Sequence, residues 1–560
     1  MAQPVVEKLS ASWIIVAIIM LGAALRTWQL ADHPLWSDEF ATLVFSLGHG
    51  FADIPLDQPV TGNRLLEALT VQDTLGAGAT WDRLLSESNH PPLYFLLSNR
   101  WIHLWQGSGQ LVNLGVARSL PALFGVLAIP GTYALMKLAS GRNRVLPLIA
   151  ALLMAVSPFG IYLSQETRHY TLGLVWGIAS LGCWVIFLRH WNPPKRVPPW
   201  LPWAWIGVNG LGIATHFFVG LLLLAQGITI GLLAIYRGIP RPWRSLAIAA
   251  LGTAAMAMAW VPYAQSIPKD GLTDWLLETV TWTTGFEAIA RLVAWTITMG
   301  VMLPVESSSQ PTAVVIISGG IMGVVTGLMV TGLVFAWRSR RQWDDTTRQI
   351  LIGFGILAGA IAAVTVGIVL VLGKDITVAA RYQFVTLPVV VALMAVGWWG
   401  LWQRKRVVAI ARLAVALVSG GCVAQGLAFQ RPDRPDLMVE FLAQITRDRP
   451  DAASIAIATV YKNHEQTGEM LGLAWEWRSQ NLSQNLGKDP QFILARKASD
   501  HPAPNDTVRN RIANLPKPLN LWLVNFAAPE NLKETAQCQQ VPKTKHRVPG
   551  YTAKLYRCLN

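Results

Sequence analysis

The sequence predicts a polytopic α-helical membrane protein carrying a small soluble α/β domain at its C-terminal end. Three observations predict it. Of 560 residues, 52% are hydrophobic and only 14% are charged, where a soluble chain carries roughly a quarter charged residues. Apolar runs long enough to span a bilayer, about 20 residues each, recur from residue 12 to about residue 428. Beyond about 430 the composition becomes that of a soluble domain. A mean hydropathy of +0.38 agrees with this division, and 25 Trp suit aromatic belts at two membrane interfaces.

The net charge of +14 is a topology signal rather than a nucleic-acid footprint, because of where it falls. Basic residues sit in short loops between apolar runs: Arg142 and Arg144; Arg189, Lys195 and Arg196; Arg237, Arg241 and Arg244. The pattern continues at Arg338–Arg341 and Arg404–Arg406. Short basic loops mark the cytoplasmic face.

With the N-terminus inside, the run at 12–30 is an uncleaved signal anchor that exits to the far side. The segment 31–117 is then a first outer loop, and within it 92–105 reads as an amphipathic interfacial helix. Spans at about 118–139 and 145–163 follow, and four more alternate between the basic loops at 189–198 and 237–244. The region 265–312 is outer and partly apolar, with room for a re-entrant or additional segment. Spans near 313–337, 348–372, 384–402 and 407–428 complete a set of about 11. The expected domains are thus 1–429 in the membrane and 430–560 outside. In the latter, 454–460 and 519–525 read as strands by alternation and β-branching, and 465–480 as a helix.

This topology gathers three motif clusters on the outer face. The first is Arg26 with His33-Pro34-Leu35-Trp36-Ser37-Asp38-Glu39, the second Asn89-His90-Pro91-Pro92-Leu93-Tyr94, and the third Ser164-Gln165-Glu166-Thr167-Arg168-His169-Tyr170. Arg381-Tyr382 falls on the same face. Adjacent carboxylates at a bilayer surface, where a lipid-borne group meets an aqueous one, suit general-base chemistry. Each motif also has a structural reading. Asp38-Glu39 could be a solvated turn, His90-Pro91-Pro92 a helix-start turn, Glu166 and Arg168 an ion pair bracing two spans, and His33 and His216 interfacial side chains. Cys538 and Cys558, on the oxidising side, either form a disulfide or remain reduced structural thiols.

The ordered trio Trp-Ser-Asp-Glu, His-Pro-Pro-Leu-Tyr and Ser-Gln-Glu-x-Arg-x-Tyr resembles the bacterial relatives of protein O-mannosyltransferases and of the aminoarabinose transferases that modify lipid A. These are GT-C-fold glycosyltransferases of the family 39 type. Arg118-Ser-Leu-Pro-Ala-Leu-Phe-Gly125, and Arg381-Tyr382 before Pro388, are similar to family stretches too. The resemblance covers residues 20–190 and thins beyond. It implies a multi-pass enzyme of the plasma or inner membrane that inverts as it transfers a sugar from a polyprenyl-phosphate donor at the outer face. The acceptor would be protein, glycolipid or polysaccharide. Asp38 would be the base, with Glu39 orienting it or binding acceptor. Arg168 and Arg381 would hold the phosphate, with His90, Glu166, Tyr170 and Tyr382 as further binding residues. Family members place a Lys before the Pro-Pro pair where this chain has His90.

No cofactor is required by this chemistry. No His/Cys cluster has metal-ligand spacing, although Asp38 and Glu39 could share a divalent cation. Lack of a P-loop or dinucleotide fingerprint argues against a nucleotide-driven pump. The competing class is a transporter or flippase of lipid-linked sugars. Transporters place ionisable groups near the bilayer midplane, whereas these acids sit in loops at one face.

Overall fold

The computed structural model describes residues 3–559 apart from 192–195, 241, 267–275, 278–279, 282, 307–309, 430, 499–500 and 529–537. Lys195, Arg241 and the expected domain boundary at 430 lie outside the described residues.

Each expected apolar segment is helical. Among the described residues, seven helices are long and apolar enough to cross a membrane: Leu114–Ala139, Tyr170–Arg189, Val219–Arg237, Trp243–Tyr263, Thr312–Arg338, Asp345–Leu372 and Arg406–Ala424. An eighth span arises if the bent pair Val145–Val156 and Pro158–Ser164 counts as one. The remaining expected spans are shorter or less apolar. The apolar part of the first helix is Ser12–Thr27, Leu201–Thr215 has 15 residues, and Leu387–Arg404 has 18 with a Trp-rich end.

The bend has a local cause. Pro158 lacks an N–H, so the Met154 carbonyl loses its helical partner. Arg26, 1% exposed, supplies the replacement: its guanidinium donates to Met154 O and Ala155 O, both at 2.8 Å. The Ser157 hydroxyl accepts from Gly160 N at 3.2 Å and starts the second half. A 55° bend follows, and the chain emerges at the Gln165–His169 turn. In the region left open at 265–312, the structure places a helix, Thr284–Gly300, of 17 residues. Its Met299 carbonyl accepts from the Ser157 hydroxyl at 2.8 Å, tying it to the bend.

Outside the bundle, the first loop and the tail form one layer. The loop supplies the helices Ser37–Ser46, Ala77–Glu87 and Leu93–Trp105. The last of these buries Tyr94, Phe95 and Ile102 while leaving Leu97, Leu104 and Trp105 exposed, as an interfacial helix does. Strands are β1 (Val60–Thr61), β2 (Ser454–Tyr461), β3 (Pro490–Arg496), β4 (Leu519–Val524), β5 (Cys538–Gln540), β6 (His546–Val548) and β7 (Tyr551–Cys558). They pair in the order β1-β3-β2-β4-β7-β5, with β6 also on β7. The centre, β3-β2-β4, is parallel and buried on both faces, as parallel strands are. Pro435–Arg447 and His464–Ser479 cover one face, and Pro504–Ile512 the other.

The edge strand β1 comes from the first loop, with Val60 opposite Phe492. Leu43, Leu65 and Leu69 of that loop share a core with Met438, Leu471 and Trp477 of the tail. Cys538 and Cys558, opposite each other on β5 and β7, are disulfide-bonded.

Candidate active site

A cavity of ≈ 600 Å³ lies between one end of the bundle and the tail domain, within the size range of ligand sites. Asp38, His90, Arg168, Arg381 and Tyr382 all line it. The sequence scatters them over almost 350 positions; four elements bring them together. Asp38 sits in the first turn of Ser37–Ser46, where a helix N-terminus favours negative charge. His90 ends the turn before Leu93–Trp105. Arg168 projects from the turn that follows the bent span. Arg381 and Tyr382 belong to a 3₁₀ turn, Ala380–Val385.

Asp38 is held between two guanidiniums. Its Oδ2 lies 3.4 Å from Arg168 Nη2 and 3.3 Å from Arg381 Nε. Arg168 is itself fixed, donating to Asp38 O at 2.8 Å, Thr42 Oγ1 at 2.7 Å and Tyr170 Oη at 3.3 Å. Arg381 stacks over the Trp36 ring at 4.7 Å. Burial disfavours the charged carboxylate, but the Arg168 and Arg381 guanidiniums outweigh it and hold Asp38 below its ordinary pKa. Asp38 remains 32% exposed, toward the cavity. His90 is different: burial, then Arg168, push it down to about 3. It is a neutral imidazole facing the cavity. Its backbone is pinned, the His90 carbonyl accepting from the Tyr263 hydroxyl at 3.0 Å.

The structure turns three expected site residues away from the cavity. Glu39 is completely buried, as is Arg118, which donates to its two oxygens from Nε at 2.9 Å and Nη2 at 2.7 Å. Thr167 N adds a bond at 2.7 Å. Glu39 therefore lies off the cavity, its carboxylate taken up by Arg118 and Thr167. The two acids also point to separate partners and do not converge on a shared cation. Glu166 does not pair with Arg168 either. In the tight turn their side chains diverge, and Glu166 pairs with Arg431 of the linker into the tail. Tyr170 is buried behind Arg168 and steadies it.

His33 lies off the cavity, bonded to Ala424 O at 3.2 Å. His216 lies behind His169, ring centroids 4.6 Å apart and tilted by 50°, and His169 behind His90, at 5.0 Å with the same tilt. Among the described residues, no group of three or more His, Cys, Asp or Glu is placed to hold a metal ion.

Sequence reasoning missed Asp433. It lines the cavity, and its Oδ2 accepts from Ser37 N at 3.0 Å and Ser37 Oγ at 2.6 Å. An acid from the tail thus caps the helix that carries Asp38. Burial raises its pKa against those two bonds. The only sequence signal was its place in a short charged linker, Arg431-Pro432-Asp433-Arg434. His464 and Glu465, at the start of His464–Ser479, also line the cavity.

No protein-family model matches the chain, and no curated protein matches it. Solved structures do. ArnT from Cupriavidus metallidurans in the apo state matches with TM-score 0.52 at 11% identity, over 98% of this chain and 98% of that one. The same protein bound to undecaprenyl phosphate matches with TM-score 0.50 at 11% identity, over 99% and 98%. The fold is that of the GT-C glycosyltransferases. AglB from Archaeoglobus fulgidus, in complex with an inhibitory peptide and a dolichol-phosphate, aligns at TM-score 0.48 and 11% identity; the match covers 83% of this chain, which spans 64% of that one. In this chain the cavity opens where the loop after the first helix, the bundle and the tail meet.

Proposed function

We propose that the protein is an integral membrane glycosyltransferase that moves a sugar from a polyprenyl-phosphate donor to an acceptor hydroxyl at the extracytoplasmic face, with inversion. The observation that carries this reading is Asp38 between Arg168 and Arg381 in a cavity at one end of the bundle. The ArnT structure bound to undecaprenyl phosphate supports the donor class.

A lipid phosphate is already an acceptable leaving group, so the site needs a base on one side and cations on the other. Arg168 and Arg381 take the phosphate oxygens through charge-assisted bonds, and His90 and Tyr382 add neutral ones. Asp38, released from part of its ion pairing, accepts the proton of the acceptor hydroxyl. The acceptor oxygen bonds to the anomeric carbon as the carbon–oxygen bond to phosphate breaks, and the electron pair leaves with polyprenyl phosphate. Asp433 faces the same cavity from the tail. The acceptor is a protein, glycolipid or polysaccharide precursor.

The test is transfer by purified, reconstituted protein from radiolabelled polyprenyl-phosphate sugars, comparing wild type with Asp38→Asn. Loss of a general base lowers turnover about 10²–10⁴-fold; undiminished transfer by the variant would sink Asp38 as the base. Translocation of the lipid-linked sugar without transfer would replace the enzyme with a flippase. Sidedness is tested separately: a cysteine replacing Asn143 should label only from the cytoplasmic side.

A further inference from the structure

At the end of the bundle opposite the cavity is a second concavity of different chemistry. The helix Asp345–Leu372 begins there and runs 28 residues to the loop that carries Arg381, about 42 Å at helical rise. A groove of ≈ 560 Å³ opens between Thr312–Arg338, the start of Asp345–Leu372 and Leu387–Arg404. Small residues create it. A Cβ on Gly332 would lie 2.2 Å from Gly397 O, and one on Gly400 2.3 Å from Gly332 O, so the first and third helices are drawn close. Gly355 on the remaining wall faces open space, with nothing within 4 Å of an added Cβ.

The body of the groove is apolar: Val330, Leu333, Val334, Leu351, Ile352 and Ile356. Its mouth is cationic and aromatic, made by Arg338, Arg340 and Arg348 with Trp337 and Trp343. Arg338 is exposed and has no hydrogen bond or ion pair among the described residues. Arg340 lies flat over the Trp337 ring at 4.4 Å. Arg348 pairs with Asp345 at 2.6 Å. Asp344, the preceding residue, is taken up in capping the helix through Thr347 N at 2.9 Å, and Arg404 adds a further cation over Phe335 at 5.4 Å.

We propose that this groove binds an anionic phospholipid of the leaflet opposite the cavity. The phosphate sits against Arg338, Arg340 and Arg348, and an acyl chain runs down toward Val330. From Arg338 to Val330 is eight residues, about 12 Å of helix, close to half of a hydrocarbon core of about 30 Å. Free phosphate has no use for the apolar body, and a zwitterionic headgroup brings an ammonium against the arginines. Cations at a membrane surface each favour an anionic lipid by about fivefold, and Trp at the headgroup level anchors the depth. Nothing in this argument depends on the proposed transferase activity.

The test uses the full chain in detergent mixed with equal phosphatidylglycerol and phosphatidylcholine, with retained lipid quantified by mass spectrometry. Wild type should keep phosphatidylglycerol about tenfold or more over phosphatidylcholine. R338Q/R340Q/R348Q should bring that ratio near one. Gly355→Phe, at a position where an added Cβ meets nothing within 4 Å, should lower retained lipid while the protein elutes as wild type does. Millimolar inorganic phosphate should leave the retained lipid in place. Equal retention of the two lipids by wild type overturns the proposal, as does an undiminished preference in the triple variant. Displacement by inorganic phosphate, or a groove filled by self-association without lipid, overturns it too.

Discussion

On the proposed mechanism, Asp38 is an effective base only when its guanidinium partners are drawn toward something else. In the free site Arg168 and Arg381 keep it ionised and weakly basic; a bound phosphate would divide their attention and raise its proton affinity. Because kcat/KM reports the free enzyme, its acid limb should lie below the ordinary carboxylate range. Arg381→Gln removes one stabiliser of the charged form, so that limb should move to higher pH; a limb that stays put would remove Arg381 from Asp38's environment. His90 is already neutral, so His90→Gln should leave the profile's shape unchanged near pH 6.5 while weakening donor binding. In the tail, Glu469 is pushed up to about 8, first by burial and then by Asp433 and Glu465, against a bond with Asn525. Here the folded state holds a proton that the unfolded chain loses near its ordinary value, so stability falls as pH rises from about 4.5 to 8. Glu469→Gln should therefore raise the apparent Tm at pH 8.5 and leave it unchanged at pH 4. Equal effects at both pH values would mean the residue acts through packing alone.

Among the elements, the helix Ser37–Ser46 shows how the Asp38 side chain is positioned by the groups that hold its helix. The Glu39–Arg118 pair locks one side of the helix, and Arg118 also donates to Leu30 O at 3.1 Å and His33 O at 2.8 Å. Every donor of that guanidinium is used, which is what makes a fully buried ion pair tolerable. Arg118→Met leaves Glu39 charged and unpaired in the interior, at about 3–5 kcal/mol, and should abolish folding of the outer loop. Arg118→Met with Glu39→Leu should recover much of the loss, which thermal unfolding of both variants would measure. At the helix start, Asp433→Ala removes the cap on Ser37, worth about 0.5–2 kcal/mol, and should lower kcat more than it lowers Tm. A fall in Tm with kcat intact would limit Asp433 to the fold. The motifs on these elements were legible because each is a local string with its own chemistry. Their partners were not: Ser37 meets Asp433 across 396 positions, and Glu166 meets Arg431 across 265. Hydropathy and spacing report on neighbours along the chain, so Glu39 read as a partner of Asp38 and Glu166 as a partner of Arg168.

Over the whole molecule, the apolar runs and basic loops made the bundle legible, since length and hydropathy alone decide what can cross a bilayer. The outer layer was legible only in part. Strands β2 and β4 and the helix between them announce themselves by alternation, but β1 is two residues long and carries no periodicity. It is nonetheless the join between the first loop and the tail. Around it, Asp57 accepts from Arg496 N at 2.8 Å, the Asn63 side chain accepts from Arg478 at 2.7 Å, and Leu65 and Leu66 are buried. The tail thus holds one wall of the cavity in place as well as supplying Asp433. A chain ending at Phe429 keeps the membrane helices but exposes that apolar face of the loop, so the segment 50–70 should lose its order. Limited trypsin digestion should then cut at Arg64 at least about tenfold faster than in the full chain, since cleavage follows the population of the locally open form. Digestion at the same rate would mean that the loop folds on the bundle alone. The tail's part in the site would then be confined to the residues of its linker.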